Sequence, residues 1–405
     1  MSTGIFSSNL AVADSAKKSF AGMITRLAPN GSSPLFAISS MLGTETAVAV
    51  EHGFFSKTML FPSFTVTAAG QTATDTTFTG VSTANLLPGM ILQVDTTKEN
   101  LIVNSVINAT SISVQRGIGI AAQAIGASVT LQAVGNAYEE GSFRPNSLII
   151  NPVRISNLTQ IFRNTWAITD TMRQTMMIAG ESNLAESRQD CALFHAADIE
   201  KSIIFGQKSQ GTRNGAPFRT MDGLISITSN LSYYPSSYSA ANVTIAGGTT
   251  NFTQLENALD PVFNQTTDPK VANTRALFVG GQAKRVITAI ARLNSAYQIT
   301  SDTNSWGLKF NELKTSRGTF NVIEHPLFNS NANWSKMAVA VDLSTFKLAY
   351  LGDRKTQNKE FNADSDANDN GIDSVGGTLT TELTCLVKNP PANAVIYNLT
   401  AGQAG

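Results

Sequence analysis

The sequence predicts an α+β fold into which an all-β module is inserted. Short β-branched runs of alternating character fill about residues 60–135, whereas apolar residues recur every three or four positions in segments on either side. The 405 residues are enough for two or three domains, or for one domain that carries a large insertion. The helical and the β periodicities therefore occupy separate stretches of one chain.

Charge is scarce in this sequence. Basic and acidic residues number 29 each, and charged residues make up 14% of the chain, against about 25% in ordinary globular proteins. A surface rich in uncharged polar residues suits extensive protein contacts, although a Thr-rich extracellular β protein fits the composition equally well. The zero net charge argues against a protein whose main task is to bind phosphates.

The two cysteines indicate a reducing compartment. Cys191 and Cys385 belong to no C-x-x-C pair and are too far apart in sequence for a secreted disulfide framework. The N-terminal apolar run is interrupted by Arg26, so no signal peptide is predicted. No apolar stretch approaches the length of about 20 residues that a transmembrane helix needs, so none is predicted.

Residues 9–27 predict an amphipathic helix that ends at the turn-forming residues 28–31. Its apolar stripe consists of Leu10, Ala13, Ala16, Phe20, Met23, Ile24 and Leu27. A single helix of this kind has no core of its own and must dock on the same chain or on another subunit. We favour an arm that contacts another subunit.

The predicted β module consists of short alternating strands separated by Pro, Gly and Asn. The runs are 90–94, 101–103, 110–114 and 128–131. They predict a small antiparallel barrel or sandwich.

The rest of the chain predicts a mixture of helices and strands. Strand-like segments at 147–155 and 160–169 precede a helix over 183–206, with a ridge of Ala192, Ala196, Ile199 and Ile203 and a stop at Gly206. A glycine-rich loop (211–223) and a linker to about 250 follow. The later elements are helices at 252–264 and 282–297 and strands at 275–279, 319–324, 337–351, 379–387 and 394–399.

Two glycine motifs resemble nucleotide-binding loops only formally. Gly117–Ala122 satisfies G-x-G-x-x-A, with Glu139 beyond it, but another strand follows where a helix is required. Val279–Lys284 lacks the spacing and the hydroxyl of a phosphate loop. Both predict turns.

No catalytic residue, cofactor or metal site is predicted. Cys191 and His195 share one helical face, but no second ligand pair accompanies them, so we interpret them as a packed thiol and a hydrogen-bonded imidazole. The acidic run 364–371 lacks the glycine and glutamate of a calcium loop, so a solvated loop is the default and calcium binding the alternative. The motifs G-x-S-x-G and H-E-x-x-H are absent from the sequence.

An ordered set of phrases carries a family resemblance over nearly the whole chain. The phrases are PNGSSPLF (29–36), EHGFFSKT (51–58), GNAYEE (135–140), NLTQIFRNT (157–165), AESRQD (185–190), DIEK (198–201) and TMDG (220–223). In this order they resemble the major head proteins of tailed bacteriophages, which have the Hong Kong 97-type fold. The resemblance is weakest in 60–135 and in the acidic run.

The resemblance implies a division of the chain into named parts. These are an N-terminal arm (1–45), an extended loop region (46–170) that carries the β insertion of about 60–135, a peripheral domain (171–249) with a spine helix at 183–206, an axial domain (250–345) and a return to the peripheral domain (346–405). The insertion is expected on the outer face of a shell.

The implied function is that of a major capsid protein, not an enzyme, whose copies assemble as hexamers and pentamers into an icosahedral head around double-stranded DNA. Expected assembly residues are Leu10, Phe20, Ile24, Leu27, Ile199 and Ile203.

The resemblance also implies partners, namely a separate scaffolding protein, a portal and a possible decoration protein. A separate scaffolding protein is expected because no long charged segment precedes the arm. The DNA is expected to be held without sequence-specific contacts, and no membrane partner is expected. The expected location is the virion capsid, assembled in the bacterial cytoplasm. The alternative is another lattice protein, such as a tail or surface-layer subunit.

Overall fold

A computed structural model describes residues 35, 43–57, 62–67, 70–149, 151–175, 183–235, 238, 240–265, 273–293, 300–305, 308–362 and 374–402. The chain divides into two compact units. The main unit comprises the described residues up to Phe54 and from Arg154 onward, and the inserted unit comprises Phe55–Val153.

The described elements follow the chain in this order. The strands are β1 (Thr44–Ala47), β2 (Glu51–Ser56), β3 (Ser63–Thr65), β4 (Thr77–Thr79), β5 (Met90–Val94), β6 (Asn100–Asn108), β7 (Ser111–Ile118), β8 (Thr130–Asn136), β9 (Val153–Leu158), β10 (Gln160–Thr169), β11 (Ser209–Arg213), β12 (Ala216–Thr220), β13 (Val243–Thr250), β14 (Thr274–Val279), β15 (Thr300–Ser305), β16 (Leu308–Lys314), β17 (Thr319–Glu324), β18 (Ala338–Val341), β19 (Phe346–Leu351), β20 (Gln357–Asn362), β21 (Ser374–Val387) and β22 (Ala394–Gly402). The α-helices are α1 (Asp170–Gln174), α2 (Asn183–Phe205), α3 (Leu224–Ser229), α4 (Phe252–Leu259) and α5 (Gly281–Leu293). None of these described helices is long and apolar enough to cross a lipid bilayer.

The inserted unit is a small antiparallel barrel. Its strands lie in the order β3-β8-β5-β6-β7-β4, and a bridge between Val66 and Gly80 joins the two outer strands. Because alternate residues point to opposite faces of a strand, one apolar set fills the interior. That set comes from the unit itself: Phe64, Phe78, Leu92, Leu101, Ile112 and Leu131 are among its fully buried members. The barrel occupies the stretch in which period-two alternation predicted strands.

A seven-stranded mixed sheet with apolar residues on both faces lies in the main unit. Its order is β13-β22-β18-β14-β17-β16-β15. Ala276 and Phe278 of β14 face a core that includes helix α2, while Leu277 and Val279 face a second core with helices α4 and α5. Burial on both faces explains why Ala276–Val279 of β14 and the whole of β18 are continuous apolar runs without alternation.

A five-stranded sheet also belongs to the main unit. The order is β1-β19-β21-β10, and β20 pairs with β21 as well. Strand β22 belongs to the seven-stranded sheet instead, where it lies between β13 and β18. The segment 346–405, expected to return to a single domain, therefore contributes strands to both sheets.

The buried face of helix α2 differs from the predicted ridge. Ala192 is exposed and Ala196 is half-buried, whereas Cys191, His195, Ile199 and Ile203 are buried. The face is rotated by about one position because a methyl group gains little from burial, whereas His195 gains two hydrogen bonds inside the protein. Ile199 and Ile203 remain on the buried face as predicted.

Three other predictions from the sequence were wrong in detail. The expected loop 211–223 contains the hairpin β11–β12, and the expected linker to about 250 contains α3 and β13. The strand expected over 147–155 begins only at Val153. Pro145 and Pro152 lack the backbone N–H that ladder pairing requires, which disfavours an earlier start.

Candidate subunit-contact surfaces

The segment 138–149 is an exposed stretch of the inserted unit. Between residue 139 and residue 149 the chain forms a turn and otherwise has no regular secondary structure, and every residue of 138–149 is exposed. Phe143 is 98% exposed, and Leu148 and Ile149 are also open to solvent. A large aromatic side chain that packs against none of the described residues marks a surface for binding another protein.

A second surface with apolar residues lies beside helix α2 in the main unit. A groove of about 460 Å³ runs between α2 and β10 and has a mixed lining, with apolar Trp166, Ile168 and Met172 and polar Thr165, Glu186, Ser187 and Asp190. Phe194 on its rim is 65% exposed. An aromatic on the outer face of a long helix is a second candidate for contact with a neighbouring subunit.

The Trp166 ring, which lines this groove, is held by polar side chains. The guanidinium carbon of Arg188 lies 4.5 Å from the centre of the Trp166 ring, and the same guanidinium binds Glu360. The Trp166 indole N–H also donates a hydrogen bond to the Asn358 side chain at 3.3 Å. The apolar floor of the groove is therefore held in place by neighbouring side chains.

His195 and Cys191 lie below this surface as structural residues. The Nδ1 atom of His195 is 2.7 Å from Asn164 Oδ1, and its Nε2 atom is 2.7 Å from Thr381 Oγ1. Burial lowers the pKa of His195 and raises the pKa of the Cys191 thiol. Both nitrogens are engaged within the protein, in agreement with the packed interpretation. No cluster of metal-binding side chains occurs among the described residues.

Two of the phrases behind the family resemblance, at 157–165 and 220–223, meet in a buried polar junction. Asn157 donates to the carbonyl oxygens of Asp222 and Cys385 at 2.9 and 2.8 Å, and its Oδ1 accepts from Asp222 N–H at 2.7 Å. The Cys385 thiol donates to the same Asp222 carbonyl. Burial, followed by the negative charge of Asp222, raises the pKa of Cys385 to about 12, so this thiol stays protonated.

The close approach of two glycines completes this junction. The Gly223 N–H donates to the Gly206 carbonyl at 3.0 Å. A Cβ atom on Gly206 would lie 2.7 Å from the Met221 carbonyl, and one on Gly223 would lie 2.5 Å from the Gly206 nitrogen. The end of α2 and the phrase at 220–223 therefore require glycine for steric reasons.

Two buried carboxylates fix other parts of the main unit. Glu382 accepts a hydrogen bond from Thr159 at 2.9 Å and forms ion pairs with Arg219 and Arg354. Glu200 on α2 is 2.7 Å from His325 Nε2 and accepts the backbone N–H of Leu35 at 2.9 Å. Leu35 itself is buried in the main core.

The assembly residues expected from the sequence are either buried or outside the described residues. Ile199 and Ile203 are buried in the core of their own unit, and Leu10, Phe20, Ile24 and Leu27 lie outside the described residues. The acidic run 364–371 also lies outside them.

The two glycine motifs lie where strands β7 and β14 end. Gly281 N–H, at the start of α5, donates to Asn329 Oδ1 at 2.7 Å, and Lys284 pairs with Glu324. Gly117 and Gly119 have φ of +74° and +80°, and no helix follows them.

Sequence reasoning missed Phe143 and Phe194. Phe143 stands between polar residues and directly before the Arg144-Pro145 pair, so neither a helical nor a strand period includes it. An aromatic residue outside any periodic pattern was the available signal. Phe194 lies inside the helical run, where only the register of the buried face decides its exposure.

Comparison with known proteins identifies related capsid proteins. Residues 2–400 match the family described as SU10 major capsid protein. The major capsid protein of Pseudomonas phage PaMx41 is 37% identical over 407 residues, which cover 98% of this chain and 96% of that protein. Among solved structures, the capsid of a native GTA particle has a TM-score of 0.48 at 8% identity and covers 95% of this chain and 96% of that one. A structure from Mycobacterium phage Bobi has a TM-score of 0.47 at 11% identity and covers 99% and 100%.

Proposed function

Because this chain belongs to the SU10 major capsid protein family, we propose that its copies close into an icosahedral phage head through the exposed apolar surfaces described above. The protein is the major capsid protein of a phage and acts as a structural subunit, not as an enzyme. The expected resemblance to phage head proteins is thereby confirmed.

Segment 138–149 carries the proposal about assembly. An isolated subunit would leave Phe143 in water, and burying such a side chain contributes roughly 1.5–3 kcal/mol per copy. Only another copy is available in large numbers in a shell of identical subunits, so the segment packs on a neighbouring subunit. The rim residue Phe194 and the groove beside α2 are the proposed matching surface, since Phe194 and Met172 are large apolar residues that stay exposed among the described residues.

The Hong Kong 97-type arrangement is part of the same proposal. In it α2 is the spine helix of the peripheral domain (171–249), residues 250–345 form the axial domain, and 346–405 return to the peripheral domain, with the contribution of β22 noted above. Residues 1–45 form the arm, and 46–170 form the extended loop region that carries the barrel. The mixture of sheets and helices in the main unit and the order of the phrases support this assignment.

The partners follow from the proposed head. They are further copies in hexamers and pentamers, a separate scaffolding protein, a portal and packaged double-stranded DNA that is held without sequence-specific contact. The capsid of the virion is the location, and assembly takes place in the cytoplasm of the bacterial host.

The test compares Phe143→Glu with Ser142→Glu. Both variants add one charge to the same exposed segment, but only the first removes the aromatic side chain. We expect Phe143→Glu to keep the circular dichroism spectrum and melting temperature of the unassembled subunit and to form few shells in electron micrographs. Ser142→Glu should assemble at a level near that of the unsubstituted chain.

Two results would overturn the proposal. Full shell yield from Phe143→Glu would remove segment 138–149 from assembly. Tubes or flat lattices from the unsubstituted chain, in place of closed polyhedral shells, would favour a tail-like or surface-layer-like assembly.

A further inference from the structure

The barrel of the inserted unit has no open edge between its outer strands. Thr67 N–H donates to the Thr79 carbonyl at 3.0 Å, and Val81 N–H donates to the Thr65 carbonyl at 2.9 Å. An unpaired strand edge is the usual route by which a β module adds to another chain. Because β3 and β4 are already joined, any contact made by the barrel must use its side chains or its turns.

One end of the barrel carries an apolar tip. Residues 104–110, at the turn between β6 and β7, are all exposed. Ile107 is 54% exposed, Val106 is 37% exposed and Val81 is 71% exposed. The chain at Val81 lies beside this turn, because Gly80 and Thr83 donate backbone hydrogen bonds to the carbonyls of Thr110 and Ala109. We call Val81, Val106 and Ile107 the apolar tip.

The turn that presents the tip is held in one conformation. Thr83 Oγ1 donates to the Asn108 carbonyl at 2.7 Å, and Asn108 Oδ1 accepts the Thr110 N–H at 2.9 Å. A surface that is already ordered loses little conformational entropy when it binds. The tip is therefore suited to binding without rearrangement.

The tip lies within an uncharged part of the sequence. No charged residue occurs in 76–94 or in 100–115. Of the charges that border these stretches, Glu99 and Arg116 are paired with each other inside the unit. A strongly acidic or basic partner therefore finds no opposite charge at the tip. Two identical tips, in contrast, can meet without repulsion between like charges.

We propose that the apolar tip of one subunit packs against the apolar tip of a second copy in the assembled shell. Such a contact is isologous, with the same patch on both partners. Three partly exposed aliphatic side chains bury far less than the roughly 800 Å² per partner of a stable interface. The contact therefore forms only where the shell already holds two copies near each other, and it is repeated many times over the shell. This inference rests on the proposed function of the chain as a self-assembling head protein.

Disulfide trapping tests the contact directly. Ile107→Cys places an exposed thiol on the tip, while the native Cys191 and Cys385 are buried. In the proposed tip-to-tip contact we expect two such thiols to approach the Cβ separation of about 4 Å that a disulfide needs. Val134→Cys on β8 is the matched control. Val134 is an aliphatic residue of the same unit with nearly the same exposure as Ile107, and it is distant from the tip residues in the sequence.

Oxidised shells of Ile107→Cys should yield reducible dimers on a denaturing gel, at least several times more than shells of Val134→Cys. Unassembled Ile107→Cys subunits should remain monomeric. Intact shells in which Ile107→Cys gives no more dimer than the control would overturn the tip contact and leave the proposed function standing. Failure of the unsubstituted chain to form closed shells would instead overturn the proposed function.

A charge on the tip provides a second measurement. Ile107→Asp should leave the melting temperature of the unassembled subunit unchanged, because the side chain is exposed, and should lower the temperature at which shells fall apart. Shells with unchanged heat resistance would contradict the proposal even if the cysteine variant failed to fold.

Discussion

The buried ion pair of the barrel offers a direct test of what holds the inserted unit together. The Glu99 carboxylate is fully buried and accepts hydrogen bonds from Arg116 at 3.1 and 2.7 Å and from the backbone N–H groups of Gly117 and Gln123 at 3.2 Å each. The Arg116 guanidinium also donates to the carbonyls of Thr72 and Gln123. The pair thus connects β6 and β7 to the segments around residues 72 and 123.

The substitution Glu99→Gln removes the negative charge and nearly preserves the shape. Arg116 is almost completely buried, so its positive charge is left without a counter-charge. The new amide nitrogen can only donate, and the Arg116 guanidinium and the backbone N–H groups around it can also only donate, so the hydrogen bonds that the replaced oxygen accepted are lost. Breaking a buried ion pair by removing one partner costs about 3–5 kcal/mol. Since small domains have a total stability of about 5–15 kcal/mol, this loss is a large part of what the inserted unit has.

Hydrogen exchange of the intact protein measures this loss locally. Peptides that cover β6 and β7 should exchange about 100-fold to several thousand-fold faster in Glu99→Gln, because each 1.4 kcal/mol is a factor of ten in the opening equilibrium. Peptides from the seven-stranded sheet should be unaffected, since its core contains no residue of the inserted unit.

Asp95→Asn is the matched control for this variant. It neutralises another carboxylate of the same unit, whose partner Lys98 is 3.1 Å away, but both side chains are exposed to solvent. An exposed pair contributes about 0–1 kcal/mol, so exchange should change less than tenfold. Equal effects of Glu99→Gln and Asp95→Asn would refute the reasoning that burial makes the Glu99 pair important.

The pH dependence of stability gives the same reasoning a second readout. Burial alone would raise the pKa of Glu99, but the hydrogen bonds from Arg116, Gln123 and Gly117 outweigh burial and lower it. A carboxylate with a lowered pKa contributes stability above its unfolded pKa of about 4.3, and the contribution is lost as the pH falls through the folded value. Glu99→Gln should therefore reduce the loss of stability of the barrel in acid.

Three further predictions concern assembly. Ile199→Asp places an unpaired carboxylate in the main core at a cost of several kcal/mol, so we expect insoluble or unassembled subunits, and a normal shell yield would show that the helix face is misassigned. Removal of residues 1–27 should leave a folded subunit that assembles poorly. Loss of the circular dichroism signal would instead show that the apolar stripe of residues 9–27 belongs to the core of its own subunit. Replacement of residues 62–134 by a Gly/Ser linker should preserve the remaining fold and make shells less resistant to heat, whereas a monomer that fails to fold would show that the barrel is not an insertion.

Local patterns in the sequence located four of the six barrel strands, β5 to β8, and the end of α2, whereas the short strands β3 and β4 were not predicted. The strands β5 to β8 follow period-two alternation, and Gly206 follows the last helical residue. The hairpin β11–β12 had a local signal that was overlooked. Asn214-Gly215 is the pair favoured in a two-residue turn, and both residues have positive φ, of 51° and 73°.

The buried polar junction was beyond local reasoning. Asn157 binds backbone groups 65 and 228 positions away along the chain, so no spacing or periodicity reports the contact. The phrases that contain Asn157 and Asp222 had no evident chemical role in the sequence, because their role is to satisfy buried polar groups across distant segments. The burial of His195 on α2 depended in the same way on its partners Asn164 and Thr381, which lie in strands β10 and β21.

The distribution of charge in the structure explains how a chain with so few charged residues serves as a lattice subunit. Several of its charges lie inside, as in the pairs Glu99 with Arg116 and Arg275 with Asp342, and the buried carboxylate of Glu382 pairs with the less buried Arg219. A buried pair is poor evidence for stability, but it penalises any packing that separates the partners, and so favours one arrangement of the segments that carry it. Identical arrangement matters in a shell, because a contact such as that proposed for Phe143 or Ile107 recurs in register only if every copy presents the residue in the same position. With those charges paired inside, apolar contacts between neighbouring subunits face fewer like charges at the surface. The low charge content and the buried ion pairs both fit the proposal that many identical copies contact one another through surfaces with few charges.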